Sequence, residues 1–122
     1  MAAREVKVIE SSRELTARER IKAKDITEAV KIDEVTKVEP LKLKVKEWVV
    51  LEVSTDTETY KQYVLTSVDD TKYVVSSDVF WNAYMDIYSE MIAENDVDFE
   101  IKIYRRPSAK YPGRDFITCS LV

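Results

Sequence analysis

The chain has 122 residues, of which 45% are hydrophobic and 34% are charged, and its formal net charge is -4. This length and composition predict one ordered, soluble domain with its own core rather than a disordered chain. The absence of histidine removes imidazole bases and histidine-containing zinc sites. The negative charge also argues against a protein that coats nucleic acid with its whole surface. A chain with this net charge can still bind nucleic acid through a local basic patch.

The sequence contains neither a membrane-spanning apolar run nor the apolar core of a signal peptide. We therefore expect an intracellular, cytoplasmic protein. The single cysteine, Cys119, lies in a strand-like segment and is expected to be a small buried apolar residue rather than a reactive thiol.

Residues 1–40 predict an N-terminal extension that serves as an arm, a lid or an oligomer contact. Loose alternation over 4–10 predicts a short strand. Two overlapping capping-box patterns, at 11–14 and 16–19, predict helical turns. The helical spacing of apolar residues over 26–33 predicts a second short helix.

Three strands follow the extension. Apolar residues at odd positions and lysines at even positions predict a long strand over 41–53, with one buried face and one wetter face. Glu47 and Trp48 interrupt the alternation, which predicts a bulge or bend of the kind found where a small barrel turns a corner. Two further strands, separated by polar turns, are predicted over 59–68 and 72–76.

A long helix and two more strands complete the pattern. Ser77 and Asp78 are favourable helix-starting residues, and a broad stripe of aromatic and aliphatic side chains continues to a stop near Asn95. The periodic stripe is interpreted as a core face rather than a ligand site. Alternation predicts the last two strands over 97–104 and 115–122.

Three strands, one helix and two strands is the element order of the five-stranded OB-type barrel. We therefore predict a mainly β fold with one long helix: an OB-like barrel over 41–122, its helix between strands three and four, and the extension of short strand and helical turns over 1–40. An open sheet packed on one helix gives the same order. The long, bent first strand favours the barrel.

A basic and aromatic stretch, KIYRRPSAKYPGR at 102–114, carries five positive charges and no acid. Cations beside rings are typical of a groove for single-stranded nucleic acid, but a solvated hairpin tip also explains them. In an OB barrel the loop between strands four and five borders the binding face, which favours the nucleic-acid interpretation. The predicted contacts are Lys102, Tyr104, Arg105, Arg106, Lys110, Tyr111 and Arg114.

Aromatic residues on the predicted barrel face are further stacking candidates, and each has a structural alternative. Trp48 is also explained as the filler of a strand bend. The tyrosines are also explained as cross-strand neighbours half-covered by the sheet. These candidates are Trp48, Tyr60, Tyr63 and Tyr73.

Acidic residues oppose the nucleic-acid interpretation in two places. Asp56 and Glu58 lie in the loop after the first long strand, where a nucleic-acid groove favours cations. A second acidic tract is interpreted as a solvated helix face and the turn after it, or as a surface that docks a basic protein or imitates nucleic acid. This tract comprises Asp86, Glu90, Glu94, Asp96, Asp98 and Glu100.

Residues 71–91, TKYVVSSDVFWNAYMDIYSEM, and 99–122, FEIKIYRRPSAKYPGRDFITCSLV, resemble small single-stranded DNA-binding proteins encoded by bacteriophages of Gram-positive hosts. Residues 12–30 show a weaker similarity. The resemblance implies an OB barrel that coats single-stranded DNA during phage replication or recombination in the host cytoplasm, without catalysis or a metal. The acidic C-terminal tail by which that family recruits partners has no counterpart in the final residues, Cys119 to Val122.

The sequence therefore predicts a non-catalytic protein that binds single-stranded DNA largely independently of sequence, with no cofactor and no metal. RNA, a second copy of the chain, and a host or phage replication protein are further candidate partners. The alternative is a phage- or plasmid-encoded interaction module or inhibitor that contacts a host protein. Its contact surface would be the acidic tract or the N-terminal extension.

Overall fold

A computed structural model describes residues 4 to 122, which form seven strands and three helices. In chain order these are β1 (Glu5–Ser11), α1 (Ala17–Ala23), β2 (Val30–Lys31), α2 (Ile32–Val35), β3 (Leu41–Ser54), β4 (Thr59–Ser67), β5 (Lys72–Val75), α3 (Asp78–Ala93), β6 (Glu100–Pro107) and β7 (Asp115–Leu121). The chain divides into two compact units. Unit 1 comprises the described residues up to Lys31 together with Lys46–Ser76, and unit 2 comprises Ile32–Val45 together with Ser77–Val122.

Unit 1 contains a sheet with the hydrogen-bonded order β2-β5-β4-β3, to which β1 adds by pairing with β3. β1 runs antiparallel to β3, and a register shift between Val8 and Glu10 marks an irregularity in β1. β2 runs parallel to β5, with Val30 opposite Tyr73. β5 therefore has β4 on one edge and β2 on the other along this short stretch.

The core of unit 1 is aliphatic and is partly covered by the N-terminal segment. Its buried centre consists of Val49, Leu51, Val64 and Val74. Partly buried apolar side chains packed against it include Leu15 and Ala23, which flank or lie in α1. Because a seven-residue helix is marginal on its own, the packing of these apolar side chains on the core holds α1 in place.

The predicted capping box at 16–19 is confirmed. The Thr16 hydroxyl accepts from the Glu19 amide at 3.2 Å, and the Glu19 carboxylate accepts from the Thr16 amide at 3.0 Å. The overlapping box predicted at 11–14 was wrong, because Ser11 is the last residue of β1. The helix predicted over 26–33 was also wrong, since β2 and the four-residue α2 occupy its C-terminal half.

Unit 2 is built on the antiparallel order β3-β6-β7, with α3 against β7. Ile101 and Ile103 of β6 are completely buried. α3 begins after Ser77, whose hydroxyl accepts from the Phe80 amide at 3.1 Å. The rings of Phe80 and Tyr84 on this helix are stacked with centroids 6.2 Å apart, which places an aromatic layer in the core.

The prediction of a mainly β chain with one long helix is confirmed, but the strand count and the helix placement differ from the predicted barrel. The described residues contain seven strands rather than five, and α3 lies between the fifth and sixth of them. The two additional strands come from the segment predicted as an extension: β1 confirms the short strand predicted over 4–10, whereas β2 was not predicted. The physical reason is pairing: β1 adds to β3, and β2 takes the edge of β5 opposite β4. The predicted division at residue 40 stays a prediction.

The bulge or bend predicted near Glu47 and Trp48 stays a prediction. β3 runs continuously from Leu41 to Ser54, and four consecutive residues from Trp48 to Leu51 are buried. Both faces of the strand are therefore covered at this point, which accounts for the lost alternation. A register shift in the β1-β3 pairing lies between Val8 and Glu10 of β1.

Among residues 4 to 122, no helix combines the length and the apolar character needed to cross a membrane.

We expect Ser77→Ala to lower the free energy of unfolding by about 1 kcal/mol, because the Phe80 amide loses its capping acceptor. Chemical denaturation of the purified protein measures this change. Ser76→Ala is the matched control, since Ser76 is exposed and precedes the cap. Equal destabilisation by the two substitutions would contradict the assignment of the cap.

Candidate nucleic-acid interface

Alternation along β6 sorts the predicted site residues onto two faces of the strand. The odd positions include the buried Ile101 and Ile103, and Arg105 continues that series. Lys102, Tyr104 and Arg106 alternate with them and lie on the opposite face. Of the three, Lys102 and Arg106 are exposed and Tyr104 is half-buried. The sheet thus brings two predicted cations and one predicted ring together in a row.

β3 places a further lysine beside this row. Lys42 is directly opposite Lys102 in the antiparallel register, and Lys44 is opposite Glu100. Lys44 also lies 3.3 Å from the Asp98 carboxylate, so its charge is compensated. Within residues 4 to 122, no carboxylate lies within ion-pair distance of Lys42 or Lys102. Like charges opposite one another destabilise a sheet, and here they leave a positive site.

β7 lines the other side of the row with a ring and two hydroxyls. Phe116 is opposite Arg106, Thr118 is opposite Tyr104, and Ser120 is opposite Lys102. The Tyr104 hydroxyl lies 2.7 Å from the Ser120 hydroxyl, and the Lys102 Nζ lies 5.8 Å from the centre of the Tyr104 ring. These contacts orient the ring at the surface. We call the set of Lys42, Lys102, Tyr104, Arg106 and Phe116 the basic face.

The loop after β6 carries the remaining predicted contacts. The Ser108 amide donates to the Arg114 carbonyl at 2.8 Å, and Gly113 adopts a positive φ of 82°, which closes the loop. Tyr111 is 58% exposed, and the Lys110 Nζ lies 5.5 Å from its ring centre. Lys110, Tyr111 and Arg114 are therefore presented to solvent at the tip of the β6-β7 hairpin.

Arg105 is separated from the other predicted cations. Its side chain is only 17% exposed, and its guanidinium donates to the carboxylates of Asp33 at 2.7 Å and Asp115 at 2.8 Å. It also donates to the Asp33 carbonyl at 2.7 Å and to the Thr36 hydroxyl at 3.3 Å. Arg105 therefore ties α2 to β6 and β7, and its donors are already engaged.

The aromatic candidates predicted on the barrel face lie in unit 1. Trp48 and Tyr63 are each 4% exposed, so neither ring is presented to a ligand in this structure. The Trp48 amide donates to the Ser12 hydroxyl at 3.0 Å, and its carbonyl accepts from the Ser12 amide at 3.0 Å. Tyr60 and Tyr73 are half-buried, and burial raises the pKa of Tyr73. The acids Asp56 and Glu58 are exposed in the turn before β4.

Unit 1 also contains an open cleft of about 530 Å³ between the α1 segment and the sheet. Val49, Val64 and Leu15 contribute apolar walls, and charged side chains stand around them. These charges are largely paired, as Arg13 bridges Glu19 and Glu47. Lys72 donates to the carbonyls of Lys22 at 2.8 Å and Asp25 at 3.2 Å, at the C-terminal end of α1. The cleft is therefore less suited to a polyanion than the basic face.

Two residues of the basic face were missed by the sequence reasoning. Lys42 belonged to the wetter face of the first long strand, but only the β3-β6 register reveals that it is opposite Lys102. Phe116 alternates with Ile117 and Cys119, so period-two spacing already separates it from the buried face. Phe116 could therefore have been predicted from the alternation. The position of Lys42 opposite Lys102 could not, because no sequence pattern gives the register between two strands.

Comparison with protein-family models, with curated proteins and with solved structures finds no match. Among the described residues, no three Cys, Asp or Glu side chains are grouped so as to hold a metal ion.

We expect the contribution of Glu19 to stability to depend on pH. The Arg13 guanidinium beside it lowers the pKa of Glu19 from 4.5 to about 2. This contribution is therefore present above pH 4.5 and is lost as the pH falls towards 2. The effect is small because solvent screens these exposed groups. Acid unfolding of Glu19→Gln, compared with Glu14→Gln at an exposed carboxylate, measures it. Identical acid profiles for the two variants would contradict it.

We expect Arg105→Gln to lower the free energy of unfolding by about 1 kcal/mol, because it removes the donor that ties α2 to β6 and β7, while solvent replaces part of the loss at the half-exposed carboxylates. Arg106→Gln is the matched control: it is the next residue on the same strand, is exposed, and has no such partners within residues 4 to 122. Denaturant titration of both variants measures the difference. A larger loss for Arg106→Gln would contradict the structural role of Arg105.

Proposed function

We propose that this protein binds single-stranded DNA without catalysis and largely independently of sequence, through the basic face and the tip of the β6-β7 hairpin. The single observation that carries this proposal is the pair Lys42 and Lys102, two lysines directly opposite one another on an exposed sheet face, neither of them within ion-pair distance of a carboxylate of residues 4 to 122. Like charges placed directly opposite one another destabilise a sheet, so this pair is a cost to the fold. A bound phosphate relieves that repulsion and offsets the cost.

The neighbouring cations support a backbone contact rather than a single anion site. Arg106 lies on the same face of β6 as Lys102, with Tyr104 between them. Lys110 and Arg114 follow at the hairpin tip. Phosphates of a flexible strand placed along this line would each meet a cation. Contacts of this kind release counterions and depend on the phosphate backbone, not on base identity.

The rings on the same elements support binding of an unpaired strand. Tyr104 stands between Lys102 and Arg106, Phe116 is opposite Arg106, and Tyr111 is exposed beside Lys110. Unpaired bases stack on such rings, each stack contributing roughly 1–3 kcal/mol, whereas paired bases are not available to do so. The interleaving of rings and cations favours single-stranded over double-stranded nucleic acid.

The resemblance of residues 71–91 and 99–122 to phage single-stranded DNA-binding proteins supports the same proposal, with phage replication or recombination as its setting. Arg105 has no part in the proposed contact, since its guanidinium is engaged by Asp33 and Asp115. The proposal also leaves out Trp48, whose ring is buried.

We expect wild-type protein to bind labelled oligo-dT in a fluorescence anisotropy titration, with an affinity that falls steeply as salt rises. Lys42→Glu should weaken binding about tenfold, equivalent to roughly 1.4 kcal/mol. It should also reduce the slope of log affinity against log salt by about 0.7 for each phosphate that the protein no longer neutralises. The same substitution should slightly stabilise the fold, because it converts a like-charge pair into an opposite-charge pair.

Lys37→Glu is the matched control, since it makes the same charge change at an exposed residue of unit 2 between α2 and β3. It should have a much smaller effect on affinity. If both variants lower the affinity for oligo-dT equally, the effect comes from net charge alone, and the proposed site is contradicted. Absence of wild-type binding at low salt would contradict the function itself.

A second candidate function is the docking of a basic protein through the acidic tract. Asp86 and Glu90 are exposed on α3, and Glu94, Asp96 and Asp98 continue the negative surface beyond its end. Among the ion pairs of residues 4 to 122, only Asp98 of this set is engaged, with Lys44. A pull-down from nuclease-treated host lysate tests this function. It is favoured if Asp86→Lys and Glu90→Lys abolish the capture of a host partner and leave oligo-dT binding unchanged.

A further inference from the structure

The open cleft of unit 1 has the size and the wall composition of a site for a small molecule. Its volume is about 530 Å³, and pockets for small ligands enclose roughly 300–1,000 Å³. Val49 and Val64 of the sheet form an apolar floor, and Leu15 and Ala23 of the α1 segment pack against it. Such sites are mostly apolar and carry a few polar groups that orient the ligand. The floor is therefore suited to the apolar body of a ligand.

Lys72 places a positive charge at one end of the cleft, where α1 ends. Its ammonium donates to the carbonyls of Lys22 at 2.8 Å and Asp25 at 3.2 Å. An ammonium has three N–H donors, so one donor remains for a ligand. Both acceptors are backbone carbonyls rather than carboxylates, so they orient the ammonium while it keeps its unit charge. Because Lys72 is half-buried, this charge attracts an anion more strongly than it would in open water.

Two more polar side chains line the cleft beside Lys72. Thr66 is directly opposite Lys72 in the β4-β5 register and adds a hydroxyl, and Lys22 adds a second ammonium. Within residues 4 to 122, no carboxylate lies within ion-pair distance of Lys22 or Lys72. The Asp25 carboxylate accepts from the Thr27 amide at 3.2 Å and is not among the groups that line the cleft. This end of the cleft therefore offers an anion two ammonium groups and a hydroxyl.

The acids that line the cleft already have cation partners. The Arg13 guanidinium bridges the carboxylates of Glu19 and Glu47, and the Asp70 carboxylate pairs with the Lys46 ammonium at 2.9 Å. The charge that lacks a counter-ion on the cleft wall is therefore positive, which makes the wall complementary to an anion. The same three acids repel a ligand that carries several negative charges. The cleft is thus suited to a single anionic group on an apolar body.

We propose that this cleft binds a small molecule that combines an apolar body with one carboxylate, such as a medium-chain carboxylic acid. The body packs on Val49 and Val64, and the carboxylate accepts from the Lys72 ammonium and the Thr66 hydroxyl. Hydrogen bonds to an ionised group are roughly twice as strong as those between neutral groups. The proposal goes beyond nucleic-acid binding, since it concerns unit 1 and another class of ligand.

Isothermal titration calorimetry of octanoate into the nucleic-acid-free full chain tests the proposal, with octanol as the uncharged ligand of the same length. Wild-type protein should bind octanoate with a Kd below about 1 mM, and about tenfold more tightly than octanol. Lys72→Gln keeps donors for the two carbonyls but removes the charge, so it should weaken octanoate about tenfold and leave octanol unchanged. Lys61→Gln is the matched control, at an exposed lysine of β4 outside the cleft lining, and should leave both affinities unchanged.

Absence of octanoate binding to wild-type protein at about 10 mM would overturn the proposal. Equal affinities for octanoate and octanol would also overturn it, as would a folded Lys72→Gln variant with wild-type affinity for octanoate. If circular dichroism shows that Lys72→Gln is unfolded, Thr66→Val decides instead. It removes the hydroxyl and should weaken octanoate about fivefold, so an unchanged affinity again overturns the proposal.

Ala23→Phe locates the site. The phenyl ring extends from α1 into the cleft and occupies the space of the ligand, so this variant should bind neither octanoate nor octanol. A folded Ala23→Phe variant that binds octanoate as the wild-type protein does would place the ligand elsewhere and overturn the proposal.

Discussion

The antiparallel register of β3, β6 and β7 determines the properties of unit 2. Leu43 opposite Ile101, and Ile103 opposite Cys119, put apolar side chains on one face, where α3 supplies Phe80 and Tyr84. Because side chains alternate, the same register forces the even-numbered residues onto the other face. A slip of one residue would exchange the two faces, exposing the isoleucines and burying the lysines. The core therefore fixes the position of the basic face.

The contrast between Arg105 and Arg106 follows from this constraint. The two residues are adjacent and chemically identical, but the strand directs them to opposite faces. Arg105 continues the buried series and meets Asp33 and Asp115, so its charge is used inside the fold. Arg106 lies with Lys102 on the exposed face. A basic run in a strand thus divides into structural and solvent-facing cations, and composition alone does not distinguish them.

The cleft of unit 1 and the basic face differ in whether their positive charges have partners. In unit 1, Arg13 bridges two carboxylates and Lys72 donates to two backbone carbonyls, so two of the cations that line the cleft are already engaged. On the basic face, Lys42 is opposite another lysine. Solvated ion pairs contribute little to stability, but they neutralise the local potential that attracts a polyanion. Lysines that face one another without a carboxylate partner are therefore a better indication of an anion site than the number of cations.

Elements with a local signal could be predicted from the amino-acid sequence. Period-two alternation predicted the five strands from β3 to β7, the Ser77 cap and the apolar stripe predicted α3, and Thr16 with Glu19 predicted the start of α1. It also located the hairpin that carries the proposed contact. Strand pairing could not be predicted in this way. The fold shows that β1 and β2 join the sheet, that Arg105 is engaged by carboxylates, and that Lys42 is opposite Lys102. Alternation is a property of one strand, whereas register and edge occupancy depend on contacts between residues far apart in the chain, which no local pattern encodes.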